Sequence, residues 1–66
     1  MLVKFENRNG ILRDIATVST MEEAHKEIEK FCKERNFEIK YTRGWEEEDG
    51  TVVIDVGSHS EFFHIV

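Results

Sequence analysis

Two glycine-closed turn signals frame this chain. Asn9-Gly10 and Asp49-Gly50 each sit between runs of apolar residues. These dipeptides most readily take the positive φ that a tight hairpin turn demands. A single helical stretch lies between them. A hairpin, a helix and a second hairpin limit the chain to an α+β fold, with one helix packed on one face of a mainly antiparallel sheet. The expected order is ββαβββ, or ββαββ if the last apolar segment forms no strand. All 66 residues fall in one domain, 1–66. A domain of this size buries only about 60% of its unfolded surface, enough for a thin two-layer core.

Residues 2–7 alternate around Val3 and Phe5 as a strand, and 11–18 return from the turn. A two- or four-residue loop puts Val3, Phe5, Leu12, Ala16 and Val18 on one face. Leu2, Lys4, Glu6, Ile11, Arg13 and Ile15 then share the other, where Glu6 can pair with Arg13. Thr20-Met21-Glu22-Glu23 is a capping box that starts a helix over 21–35. Met21, Ala24, Ile28, Phe31, Cys32 and Arg35 fall at spacings of three and four and form its inward stripe. Asn36 suits a left-handed C-terminal cap.

A third strand is expected over 37–46, with Ile39, Tyr41 and Trp45 on one face. A fourth follows at 51–56, with Val52, Ile54 and Val56 on the Trp45 face and Val53 and Asp55 pointing away. Gly57 to Ser60 reads as a turn, and Phe62 to Val66 as a short last strand. A right-handed crossover through the helix with strand three beside strand one predicts the order 2-1-3-4.

Fourteen acids stand against nine Lys and Arg, a net charge of −5. That balance disfavours nucleic acid as a partner and suits solubility. The lone Cys32 excludes an intramolecular disulfide and fits a reducing compartment. No apolar run reaches the ~18 residues of a membrane span. Met1 to Phe5 lacks the basic and long apolar regions of a secretory signal. A cytoplasmic setting and no membrane association are expected.

The residues that could carry chemistry are few. His59, Glu61 and His64 are metal-ligating types, but the histidines are five apart, where a hydrolytic HExxH helix needs four. Ser58 and Ser60 flank His59 without a third group to orient the imidazole. Cys32 lies on the apolar stripe with no CxxC partner. Glu46-Glu47-Glu48-Asp49 is an acidic hairpin tip, either solvated or a docking surface for a basic protein. Tyr41, Arg43 and Trp45 alternate as a stacking platform for single-stranded nucleic acid would, although the same pattern fits a core face with Arg43 at its rim. No catalytic, cofactor or metal residue follows, and no cofactor is implied.

The stretch Asp55-Val56-Gly57-Ser58-His59-Ser60-Glu61-Phe62-Phe63, after Trp45-Glu46-Glu47 and the Asp49-Gly50 turn, resembles the ending of small uncharacterised phage- and prophage-encoded proteins of Gram-positive bacteria. The hairpin-then-helix opening is similar in outline. The resemblance implies a phage or prophage origin and a small accessory or host-interacting protein. It carries no functional residue over to this chain.

The resulting expectation is a non-enzymatic binding protein that acts through protein–protein contacts. One helix covers one face of the sheet, so Leu2, Ile11, Ile15, Val53 and Phe62 are expected on the uncovered face. They form the candidate surface for a partner protein or a homodimer, mixed with Lys4, Glu6, Arg13, Lys40 and Asp55. One alternative is a nucleic-acid-binding protein using Lys4, Arg13, Lys40, Arg43 and the aromatics. Another is a small metal-dependent enzyme built on the segment His59–His64.

Overall fold

The computed structural model describes all 66 residues. Five strands and one helix follow in the order β1 (Leu2–Glu6), β2 (Leu12–Thr17), α1 (Met21–Glu34), β3 (Arg43–Glu46), β4 (Val52–Asp55) and β5 (Phe62–Ile65). The chain is therefore an α+β domain of the ββαβββ type. No helix is long and apolar enough to cross a membrane.

Local signals set the helix. The Thr20 hydroxyl oxygen accepts from the Glu23 amide at 3.1 Å, and the hydroxyl donates to Glu23 Oε1 at 3.3 Å. Thr20 thus satisfies one of the first-turn amides that have no carbonyl to meet. At the other end Asn36 takes φ 57°. The Phe37 amide donates to the Cys32 carbonyl at 2.9 Å and the Asn36 amide to that of Lys33 at 3.1 Å. This Schellman arrangement stops the helix. Ala24, Ile28 and Cys32 are its buried residues, and Met21 at the start of the stripe stays exposed.

The sheet is antiparallel throughout, in the order β2-β1-β5-β4-β3. This corrects the expected order 2-1-3-4: β5, not β3, lies beside β1, pairing Phe5 with Phe63 and Val3 with Ile65. β5 carries Phe63 and Ile65 on one side, both buried, so the central place goes to a strand that can fill a core. The expected third strand shrinks to Arg43–Glu46. Phe37 and Ile39 pack against the core from an extended connection outside the sheet.

Both hairpins share a geometry that changes which way their second strands face. The Asn7 amide donates to the Ile11 carbonyl and the Gly10 amide to that of Asn7, leaving Arg8-Asn9-Gly10 as the loop. Glu47, Thr51 and Gly50 repeat the pattern around Glu48-Asp49-Gly50. Each loop has three residues and ends in a glycine with positive φ, 79° at Gly10 and 89° at Gly50. An odd loop inverts the facing that an even loop gives. Leu12 therefore pairs with Glu6 and Arg13 with Phe5, so the expected Glu6–Arg13 pair does not form. Trp45 pairs with Val53 instead of sharing a face with Val52 and Ile54.

In β2 the inversion lasts only four residues. The register slips between Val3 and Lys4, leaving Ile15 as an extra, bulged residue, and Ala16 returns to the core side opposite Val3. The core lies between the sheet and α1. Val3, Phe5, Ala24, Ile28, Ile54 and Phe63 belong to it, with Ile15 packed on its border.

Candidate functional site

The sheet face away from the helix gathers Leu2, Lys4, Glu6, Leu12, Asp14, Arg43, Trp45, Val53, Asp55, Phe62 and His64 by register. Trp45 and Phe62 meet edge-on, their ring centroids 6.2 Å apart. Val53 stands opposite Trp45 on one side and His64 on the other, and is only 3% exposed although no helix covers it. The Trp45 indole N–H donates to Glu47 Oε1 at 3.2 Å, which ties the ring to the acidic hairpin tip. Leu12 is 50% exposed and Trp45 39% exposed on the same face.

Each charge within this face has a partner on it. Lys4 Nζ lies 3.8 Å from Asp14 Oδ1. His64 Nε2 and Glu6 Oε1 are 2.6 Å apart. Arg43 Nη2 donates to Asp55 Oδ2 at 3.3 Å, and the Gly57 amide donates to Asp55 Oδ1 at 2.9 Å. Asp55 was expected among exposed charges, yet its side chain is buried beneath Arg43. Lys4 and Arg43 thus stand against three carboxylates, with His64 hydrogen-bonded to one of them.

The five residues expected to form the contact surface are dispersed. Leu2 and Phe62 lie half-buried on the open face, and Val53 lies on that face but is covered. Ile15 bulges onto the border of the core. Ile11 stands opposite Asn7 at the mouth of the first turn, outside the strand and 62% exposed. The three-residue loop and the bulge account for both displacements.

His59, Glu61 and His64 point to three different places. His59 is exposed on a loop at φ 65°, with its ring 6.2 Å from that of Tyr41. Glu61 meets Arg35 at 3.4 Å, and His64 meets Glu6. The structure brings no three His, Cys, Asp or Glu side chains together around a metal position. Ser58 Oγ donates to the Glu61 carbonyl and accepts from the Glu61 amide, both at 2.8 Å, so the hydroxyl is engaged in shaping its turn.

Lys4, Arg13, Lys40 and Arg43 do not form one basic patch. Lys4 and Arg43 are ion-paired on the open face, while Arg13 lies 5.4 Å over the Phe31 ring on the helix side. Lys40 sits in the connection before β3. Tyr41 and Trp45 are exposed, which corrects their expected place in a core face.

Burial pushes the Cys32 thiol above its ordinary range; the nearby Arg35 guanidinium works against that rise, and Glu61 adds to it. The Thr51 amide, donating to Asp49 Oδ1 at 2.9 Å, holds the Asp49 carboxyl below the usual carboxylate range. This bond fixes the second loop and leaves the tip acidic.

The paired charges of the open face are not legible from local sequence pattern. Glu6–His64 joins residues 58 apart, with no local signal to link them. Arg43–Asp55 is readable once the loop length is known, because a three-residue loop places these two directly opposite. Comparison with protein-family models, with curated proteins and with solved structures finds no match.

Proposed function

We propose that this chain is a non-enzymatic binding protein that acts through protein–protein contacts. Its contact surface is the open face of the sheet, and the occupant is a second copy of the chain. The observation that carries this reading is the internal pairing of every charge on a face that also exposes Trp45, Leu12 and part of Phe62. Paired charges lose less on leaving water than free ones, and apolar side chains gain. The face is close to electrically balanced, whereas the whole chain carries −5. Two copies therefore meet here without the like-charge repulsion that their other surfaces would impose.

Stable interfaces bury about 800 Å² per partner. With strands ~4.8 Å apart and ~3.3 Å per residue, the flat footprint of all five strands is about 400 Å², so a stable interface needs every strand together with the relief of the side chains and the flanking loops. Contacts on β2 and on β5 are then both required. A phage or prophage origin and a cytoplasmic setting, implied by the resemblance of Asp55–Phe63 and by the single cysteine, suit a small accessory protein of this kind.

Sedimentation velocity over a wide concentration range tests the reading. The wild type is expected at twice 7.8 kDa, and Leu12→Glu alone or with Phe62→Glu at the monomer mass. Leu12 is exposed on an edge strand, so the single variant leaves the fold intact. A wild type that stays monomeric at millimolar concentration, or a dimer that survives both substitutions, overturns it.

A further inference from the structure

On the other side of the sheet, the end of α1, the first hairpin loop and the β4–β5 loop enclose a cleft of about 210 Å³. Four phenylalanines line it, of which Phe31 and Phe37 are half-buried and Phe5 and Phe63 lie beneath. Phe5, Phe31 and Phe63 form a mutual cluster with centroids 4.8, 5.3 and 5.8 Å apart. Arg8, Arg35 and Asn36 stand at its rim. The Arg35 guanidinium lies 4.6 Å from the Phe5 ring centroid and 5.5 Å from that of Phe31, so two ring faces orient it. Only one long contact, 3.4 Å to Glu61, uses any of its five N–H donors. Arg8 has no carboxylate partner.

The charge here runs against that of the molecule. Glu61 is the one carboxylate lining the cleft, against two arginines, in a chain with five surplus negative charges. The helix end contributes about half a negative charge, but the amides of Asn36 and Phe37 already occupy two of its last carbonyls. The arginines outweigh it, and the field inside favours a monoanion. A cavity of ~150 Å³ takes a benzene ring; the larger volume here leaves room for a short acidic chain beside the ring.

We propose that this cleft binds a carboxylate bearing an apolar group, with the apolar group against the half-buried Phe31 and Phe37 and the carboxylate between Arg8 and Arg35. A free aryl or alkyl acid and the C-terminus of a protein ending in an apolar residue present the same chemistry. The site is separate from the open sheet face and stands whether or not the chain dimerises.

Titration of ¹⁵N-labelled protein with 3-phenylpropionate, followed by NMR, tests this. Saturable shifts are expected at the amides of Arg8, Arg35, Asn36 and Phe37. Arg8→Gln, which removes a side chain the fold does not use, is expected to weaken binding about tenfold. The neutral 3-phenylpropanamide should weaken it at least as much. A blocked tripeptide ending in phenylalanine, with a free or an amidated C-terminus, separates the two sources. Tighter binding of its free-acid form than of 3-phenylpropionate assigns the site to a protein C-terminus, and the reverse order to a small acid. Absence of saturable shifts at millimolar ligand overturns the proposal. So does equal binding of the amide, equal binding by Arg8→Gln, or an equal response to inorganic phosphate.

Discussion

Asp55 holds Arg43 with one carboxylate oxygen and the Gly57 amide with the other, at 3.3 and 2.9 Å, while itself only 1% exposed. The second bond caps the turn that leaves β4. Asp55→Ala strips a buried amide of its acceptor and is expected to cost about 1–3 kcal/mol. Asp55→Asn retains an oxygen for that amide and should cost less, even though it loses the ion pair to a guanidinium exposed to solvent. Urea unfolding of both variants measures the difference. Equal losses would mean that the Gly57 bond contributes nothing.

Thr20→Ala removes the N-terminal cap of α1. The loss is expected at roughly 0.5–2 kcal/mol, read as a lower urea midpoint with an unchanged slope. Thr20→Ser keeps the acceptor oxygen and should recover most of it. An unchanged midpoint in the alanine variant would show that the helix does not depend on this side chain.

Gly57 takes φ 96°, and a Cβ there would lie 3.2 Å from Lys40 Cβ and 3.4 Å from the Tyr41 ring. Gly57→Ala therefore combines backbone strain with a tight contact, at an expected cost of about 1–3 kcal/mol. Gly50 also has positive φ, at 89°, but nothing lies within 4 Å of its Cβ position, so Gly50→Ala should be the milder change. Thermal unfolding of the pair checks the order.

Cys32 is buried, and its thiol titrates above the ordinary value of 9.0. In the unfolded chain the thiol ionises first as pH rises. Its contribution to stability is thus fully present below pH 9.0 and is lost as pH climbs through the folded-state value. The urea midpoint of the wild type should fall more steeply above that pH than the midpoint of Cys32→Ala. At neutral pH iodoacetamide should modify the native protein far more slowly than the urea-unfolded chain. Equal alkylation rates would place the thiol at the surface.

The helix was readable from sequence because its signals are local: Thr20, Glu23, the apolar stripe and Asn36 all act within a turn or two. The two hairpins were readable as hairpins, but the facing of their second strands was not. Asn9-Gly10 and Asp49-Gly50 fit a two-residue loop and also a three-residue loop that ends in glycine, and one residue decides which side Leu12 and Trp45 take. The Ile15 bulge leaves no mark in the alternation of β2. Where β5 inserts depends on partners from both ends of the chain, which a four-residue segment does not encode by itself. The open face followed the same limit. Strand alternation places Phe62 there and turn geometry places Val53, but the Glu6–His64 pairing joins the first hairpin to the last strand, where no local pattern reaches.

β5 joins the β1–β2 hairpin to the β3–β4 hairpin, and the two have no other strand contact. A ribosome makes residues 62–65 only after both hairpins and the helix have been synthesised. Until then each hairpin lacks the strand that pairs its inner edge, and Phe5 and Ile54 have no Phe63 beside them. Cooperative assembly must wait for the last strand to slot in. The interval before that is when this domain is most open to chaperones, proteases and mispairing with a neighbouring copy.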